Sequence, residues 1–465
     1  MLQLAEPAPL RSQAGAVGDV LHVPYTFFPD PVGGTEIYVA GLAQALRQHG
    51  FSAAVAAPGR AEEAYDQDGL PVFRFATAPR ATLDYAYGVP DQDAAASFER
   101  LLATVRPRIV HLHARSAAIS DKLIDLAHAA DAKVVFTYHT PTVSCVRGSL
   151  MWMGRSPCDG RLDHRRCTAC NLALHGVPRV VGDLLAMVPE TIGIGLGRAD
   201  LAGGAFTALR MASLIGAMHR RFHTLMDKVD RVVAVCGWVA DLLRVNGVPE
   251  SKLVLCRQGL VRDSSARLSA VAARLRRTAF GPLRLGYFGR LDPTKGVDIV
   301  IAALRRVPDA PVRLDIYGIR QPGCEAYAAK LERAATGDPR IAFRPALPRE
   351  AVGDAMQDCD FVVVPSRCLE TGPLVVLEAF AAGTPILGAR LGGIAELVSD
   401  QVDGVLVAPD DPAAWAAAIA PLAEAPERLA RLRDGIRPPR TMGEVAREMM
   451  ALYEVVLAAG GRRLE

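Results

Sequence analysis

The sequence predicts an α/β protein of two doubly wound domains. Two observations carry that expectation. At 465 residues the chain is too long for one ordinary core. Short apolar runs alternate with helical patterns in two separate series, the alternation that builds parallel sheets. Half of the residues are hydrophobic and 22% are charged, so the chain is globular and not disordered.

The first series begins with a strand at Val20-Leu21-His22-Val23, followed by a loop from Pro24 to Thr35 that contains Gly33-Gly34. A helix follows from about Glu36 to Gln48, with Ile37, Ala40, Leu42, Ala45 and Leu46 roughly on one face and Gly50 closing it. Further strands are expected at Ala53-Ala57, Ile109-Leu112 and Val134-Tyr138. The alternation then breaks, because residues 143–200 are rich in Cys, Gly, Pro and Arg and read as an insertion. A helix resumes at about Gly204. Met211, Leu214, Ile215, Met218, Phe222, Leu225, Met226 and Val229 recur along it at helical spacing, as a core helix requires. Arg210, Arg220, Arg221 and Lys228 supply a basic side that would also suit a membrane surface or an acceptor. Strands at Val232-Val235 and Leu253-Cys256 end this half.

Residues 262–283 are polar and rich in Ala and Arg, as expected of an interdomain linker. The second series then runs through strands at Leu283-Gly286, Arg313-Tyr317, Ile341-Arg344, Phe361-Val364, Pro385-Gly388 and Gly404-Val407. A final helix spans about Met442 to Ala459. The expected boundaries are a flexible tail over 1–18, a first domain over 19–262, a linker over 263–282, a second domain over 283–441 and a terminal helix over 442–465.

The stretch Pro365 to Glu396 concentrates the chemistry. The apolar strand Phe361-Val364 ends at Pro365-Ser366, and Glu370 lies in the loop at its carboxyl end, where open α/β sheets bind ligands. Gly372 frees the backbone, and Pro373 suits a first helical position because its missing N–H would be unpaired there. Free donors at that helix start favour an anion such as phosphate. Glu378 lies about a turn into the helix, and seven residues separate it from Glu370.

This arrangement resembles the E-x7-E motif of the retaining glycosyltransferases of family 4, embedded here as P-S-x3-E-x7-E-A-x3-G-x-P. The resemblance runs from about Val20 to about Ala458, more strongly in the second half. It implies the GT-B fold: two Rossmann-like domains facing across a cleft, the cysteine-rich insertion lying in the first, and the terminal helix returning to the first. The run Gly286 to Gly296, GYFGRLDPTKG, likewise resembles the family's G-R-x4-K-G segment. Arg290 can grip phosphate oxygens bidentately and Lys295 acts as a point charge. Two fixed cations there stabilise a diphosphate leaving group as its charge rises. By the same resemblance Glu370 contacts the donor-sugar hydroxyls and Glu378 the ribose hydroxyls. Gly289 belongs to the clamp, and the backbone N–H groups of Gly372 and Leu374 help hold sugar and phosphates. Thr371-Gly372-Pro373 stands where many members carry Phe-Gly, so one backbone donor is lost or moved.

In the first domain, Gly33-Gly34 resembles the family's glycine-rich loop, letting backbone approach the phosphates or the acceptor. His139, ending the strand at Thr137-Tyr138, has a family counterpart that contacts the donor sugar near the reacting carbon. His111 and His113 share a strand face and invite a metal reading, against which stands the lack of a carboxylate nearby in sequence. The segment Val232 to Gly259 resembles the end of the family's first domain, with Cys236 in place of a common Ser and Gln258-Gly259 in place of Asn-Gly.

Cys145, Cys158, Cys167 and Cys170 form the pattern C-x12-C-x8-C-x2-C inside the insertion. Four thiolates in a segment with no core of its own suit a structural tetrahedral zinc. Unliganded thiols, an iron–sulfur centre or disulfides are the alternatives, and His164 or His175 could replace one thiolate.

A net charge of +3 with no dense basic face gives no case for nucleic-acid binding. Residues 1–18 lack the apolar core of a signal peptide, and no run of about 18 apolar residues occurs. The expectation is a cytoplasmic protein, free to touch the inner face of the membrane peripherally, whose nine cysteines are thiols or metal ligands. The expected activity is transfer of a sugar from a nucleotide-diphosphate sugar to a hydroxyl acceptor with retention, in cell-surface polysaccharide or glycoconjugate synthesis. With Arg290 and Lys295 as the clamp, no cofactor is required for catalysis. The alternatives are a sugar-nucleotide epimerase or phosphorylase on the same scaffold, or a non-catalytic binding or scaffold protein.

Overall fold

A computed structural model describes residues 18–30, 33–79, 83–199, 203–261, 281–321 and 323–459. The expected N-terminal tail and linker lie outside the described residues, apart from Gly18 and Gly281-Pro282. The chain divides into two compact units. One comprises the residues up to Arg257 together with those from Met442 onward, and the other is Gln258–Thr441.

In the first unit the strands are β1 (Val20–Val23), β2 (Ala53–Gly59), β3 (Glu63–Gln67), β4 (Leu70–Ala76), β5 (Ile109–Leu112), β6 (Lys133–Tyr138), the short pair β7 (Met151–Trp152) and β8 (Ser156–Pro157), β9 (Arg231–Ala234) and β10 (Leu253–Leu255). Eight of them form one sheet in the order β10-β9-β6-β5-β1-β2-β4-β3. Its inner strands β1 and β5 are buried at every position, as apolar runs covered by helices on both faces must be. The order reverses between β1 and β5, which pair in parallel with His22 opposite His111. The expectation of a wholly parallel sheet needs one correction. β3 and β4 are antiparallel, joined through Asp68-Gly69, both at positive φ. An Asp-Gly pair suits the two-residue hairpin turn whose twist matches the strands.

β6 pairs directly with β9, so residues 139–230 form an excursion between sheet neighbours. It holds helices His164–Leu174, Arg179–Leu185 and Glu190–Arg198 and the long helix Gly204–Lys228. The apolar residues expected to face inward on that long helix are buried. Its basic side chains are ion-paired within the unit. Arg210 pairs with Asp84 at 2.7 Å, Arg220 with Glu190 at 2.7 Å, Arg221 with Asp121 at 3.0 Å and Lys228 with Asp125 at 2.7 Å. Exposed apolar side chains cluster on the two preceding helices and the turn between them, at Val180, Leu184, Met187 and Ile192. Among the described residues no single helix is long and apolar enough to cross a membrane. The terminal helix Met442–Ala458 packs against the helix Gly34–Gln48 of the same unit.

The second unit holds β11 (Leu283–Arg290), β12 (Val312–Ile319), β13 (Ile341–Arg344), β14 (Phe361–Val364), β15 (Ile386–Ala389) and β16 (Gly404–Val407). All pair in parallel, in the order β13-β12-β11-β14-β15-β16. The reversal falls between β11 and β14. In open α/β sheets that is the point where loops from the strands' carboxyl ends diverge and leave a crevice.

Candidate active site

Both segments singled out in the second half of the sequence emerge at this reversal, from β11 and β14. β11 ends in Gly289-Arg290, and the hydroxyl of Tyr287 donates to the carbonyl of Arg290 at 2.5 Å, closing the strand end. Gly289 has φ 157 and Gly296 has φ 69. Gly296 lies so close to the neighbouring loop that a Cβ there would stand 2.1 Å from the carbonyl oxygen of Pro365. Only glycine permits both the conformation and the approach. Between them, Asp292 caps the short turn by accepting from the N–H of Thr294 at 2.8 Å.

That approach brings Lys295 to Glu370. Nζ donates to Oε1 at 2.6 Å, and the hydroxyl of Ser366 donates to the same oxygen at 2.8 Å. Burial alone would push the Glu370 carboxyl up, but Lys295 and Ser366 hold it below its ordinary value. Burial likewise opposes the charge on Lys295, and Glu370 overrides it, raising the lysine. An ion pair therefore stands at the carboxyl ends of adjacent strands. Lys295 has three donors, and Glu370 engages one. Arg290 is exposed, and its Nη1 donates to Oε1 of Gln321 at 3.0 Å.

The helix after this loop is Leu374–Ala381, with Pro373 as its N-cap at φ −69 and ψ 106. Pro373 thus sits one position earlier than expected, and Leu374 is the first helical residue. Gly372 leaves room for Gln258, whose amide oxygen would stand 2.5 Å from a Cβ. Glu378 is pushed up by burial, with Arg349 pulling the other way. Its surroundings therefore differ from those of Glu370, whose charge is held by a direct cation contact.

Sequence reasoning missed two supports of Glu370. Arg367 joins the two loops. It makes a bidentate pair with Asp298, at 2.6 and 3.2 Å, and reaches Asp410 at 2.6 Å, while its N–H donates to the carbonyl of Thr294 at 2.7 Å. Nothing local in the sequence marks an arginine for that task. Gly392-Gly393 is the other. The N–H of Gly393 donates to the carbonyl of Glu370 at 2.6 Å, and a Cβ on Gly393 would stand 2.6 Å from that oxygen. Here a signal existed, a glycine pair between a strand and a helix, as at Gly33-Gly34.

In the first unit, Gly33 caps the helix Gly34–Gln48. Its N–H already donates to the carboxylate of Glu36 at 2.8 Å, and Glu36 is buried. With a carboxylate at that helix start, the loop is better suited to a hydroxyl than to a phosphate. Arg74, which is buried, holds the preceding loop through the carbonyls of Phe27 at 2.7 Å and Phe28 at 3.0 Å and through Asp30 at 3.0 Å.

His139 ends a row of buried imidazoles. His22 Nδ1 meets His113 Nε2 at 2.9 Å, and His113 Nδ1 meets His139 Nε2 at 2.9 Å. His111 bonds Tyr453 and Thr137, each at 2.7 Å. Burial lowers His22 and His139 to about 3, and it lowers His111 and His113 well below their ordinary value, helped by the neighbouring imidazoles. All are neutral near pH 7, so each carries one ring proton. Among the described residues His22 Nε2 is buried without a partner. A bare lone pair is tolerated there better than an orphan N–H. That choice makes His22 Nδ1 the donor to His113, and His113 the donor to His139, leaving the proton of His139 on Nδ1. Ligand atoms of His22, His111 and His113 lie within 4.8 Å of one another. Both nitrogens of His111 and His113 are already bonded, however, which favours the row over an ion.

Cys145, Cys158, Cys167 and Cys170 are free thiols on the walls of one small cavity. Burial pushes Cys167 up to about 12 and also raises Cys158 and Cys170.

A family model described as glycosyltransferase family 4 matches residues 32–170, and one described as glycosyl transferases group 1 matches residues 282–425. The D-inositol 3-phosphate glycosyltransferase of Segniliparus rotundus is 36% identical over 150 residues, 31% of this chain and 33% of that protein. D-inositol 3-phosphate glycosyltransferase 1 of Catenulispora acidiphila is 31% identical over 265 residues, 54% of this chain and 61% of that protein. The chain thus matches between a third and about three fifths of the length of these relatives. Among solved structures, the sucrose-phosphate synthase of Thermosynechococcus elongatus superposes with a TM-score of 0.65 at 18% identity, covering 95% of this chain and all of that one. Anabaena HepE in complex with UDP-glucose superposes with a TM-score of 0.59 at 17% identity, covering 93% and 98%. These likenesses establish the fold.

Proposed function

This chain belongs to the family 4 glycosyltransferases of GT-B fold, and from that premise we propose that it transfers a sugar from a nucleotide-diphosphate sugar to a hydroxyl acceptor with retention of configuration. The observation that carries the reading is the Lys295–Glu370 contact at 2.6 Å, formed where the strand order reverses. A carboxylate suits sugar hydroxyls, and a lysine with further donors suits the adjoining phosphate. One bound molecule with both groups side by side, a sugar diphosphate, satisfies the pair without leaving either charge bare.

Arg290 and the remaining donors of Lys295 take up charge on the diphosphate as the sugar–phosphate bond breaks. Glu370, ionised because of Lys295, orients the sugar through its hydroxyls. Attack comes from the face the diphosphate leaves, and the departing phosphate oxygen takes the acceptor proton. His139, neutral near pH 7, serves as a hydrogen-bond donor and not as an acid. Glu378 holds the ribose, and the Gly33-Gly34 loop meets hydroxyls. Cell-surface glycan or glycoconjugate synthesis, with the chain in the cytoplasm, is the setting we propose.

The test is a calorimetric panel of UDP, GDP, ADP and their common sugar conjugates, followed by transfer assays that include inositol phosphate as an acceptor. One conjugate should bind the wild type, and Arg290→Ala should lower turnover by about a hundredfold or more. Near-normal turnover of the variant would refute the clamp. Absence of binding by every conjugate would refute the donor class.

A further inference from the structure

The four cysteines of the insertion form a site that glycosyl transfer does not use. We infer that Cys145, Cys158, Cys167 and Cys170 bind one structural zinc ion. All four line a single cavity of about 40 Å³. Four thiols around one cavity are the donor set of a closed tetrahedral zinc site.

The backbone around the cavity gives an independent reason. Between Gly148 and Gly160 five residues have positive φ, and two of them, Leu150 and Met153, carry side chains. Such conformations persist where something over-determines them. The segment's only strands are β7 and β8, of two residues each. Cys145 and Cys158 flank this loop. Cys167 and Cys170 lie three apart on the helix His164–Leu174, hence on one face. An ion held by all four would pin the loop to the helix.

The surroundings match a dianionic thiolate site. The N–H of Met153 points at Cys170 Sγ at 3.3 Å. Arg147 donates to the carbonyl of Cys170 at 2.9 Å, and Arg166, stacked 4.6 Å over Trp152, lies beside Cys158. Binding releases four protons to solvent: one Zn²⁺ and four thiols become a tetrathiolate complex of net charge −2, partly offset by Arg147, while Arg166 is already paired with Asp159 at 2.7 Å. Among the described residues only His22, His111 and His113 have three ligand atoms mutually within 4.8 Å. No three of the four sulfurs meet that limit, and the ion would draw them inward to Zn–S distances of about 2.3 Å.

The test uses the full chain purified anaerobically, with zinc, iron and free thiols counted together. We expect about one zinc per chain, falling at least fivefold in Cys167→Ser and Cys170→Ser and unchanged in Cys236→Ser, which lies outside the cavity. If the first two variants fail to fold, cobalt is exchanged into the wild type. Sulfur-to-cobalt charge-transfer bands with a tetrahedral ligand-field spectrum then support the site. Absence of zinc together with no uptake of cobalt overturns the inference. So does iron with labile sulfide, or the loss of free thiols in pairs. None of these outcomes depends on whether sugar transfer is found.

Discussion

The row of buried imidazoles makes the first unit sensitive to mild acid. In the unfolded chain a histidine binds a proton below about pH 6.5. In the folded unit His22 and His139 resist protonation until about 3, and burial also holds His111 and His113 well below their ordinary value. The unfolded state therefore binds more protons, and stability falls as pH falls from about 6.5 toward the folded values. Between about pH 7.5 and about pH 5.5, His22 and His139 each lower stability by roughly 1–2 kcal/mol. His22 and His139 together remove about 3 kcal/mol, a large part of the stability of a marginal domain, and His111 and His113 act in the same direction. Hydrogen exchange of peptides covering residues 106–140, in urea and corrected for the intrinsic effect of pH, reads this unit separately from the other. His22→Leu should shrink the pH-dependent part measurably. Equal stability at the two pH values, or an unchanged dependence in the variant, would refute the reasoning.

Three other predictions concern the second unit. Glu370→Gln removes the charge that engages Lys295, so transfer should fall about a hundredfold while affinity for the free nucleotide diphosphate holds or rises; transfer within about twofold of wild type in a turnover assay would be the contrary result. Gly296→Ala forces a Cβ against the Pro365 carbonyl at positive φ. It should lower stability by about 1–3 kcal/mol and the calorimetric melting point by roughly 2–10 °C, and an unchanged melting point would contradict the close approach. Arg367→Ala undoes the bidentate pair with Asp298 and the contact with Asp410. Donor affinity should drop about tenfold by titration calorimetry, and an unaltered affinity would deny Arg367 its positioning role.

Much of the fold was legible because apolar strands buried on both faces leave an unmistakable run, as at Phe361–Val364 and Ile109–Leu112. The hairpin of β3 and β4 was written in Asp68-Gly69 but passed over, since neither strand is a continuous apolar run. At the candidate site, spacing and composition picked out Arg290, Lys295, Glu370 and the glycines around them. They could not show that Lys295 and Glu370 touch, because that contact depends on Gly296 letting two loops from different strands approach. Arg367 and the His22–His113–His139 row were hidden for the same reason. Each acts across strands far apart in sequence, and a hydrogen bond between them has no local pattern. The ion pairs on the basic side of the long helix were hidden likewise, because its acidic partners, Asp84, Asp121, Asp125 and Glu190, lie elsewhere in the chain.

The helix Met442–Ala458 has a consequence for how the protein is made. It buries Val445, Met449, Tyr453 and Val456 in the first unit, where the Tyr453 hydroxyl reaches His111. A ribosome releases the eight-stranded sheet of that unit long before it releases this helix, with all of Gln258–Thr441 in between. The second unit is continuous and can complete itself as it emerges. The first must wait with part of its apolar surface open until this helix emerges to cover it. Chains stalled or cleaved before Met442 should therefore carry a finished second unit beside an unfinished first, and they would be the species that chaperones hold.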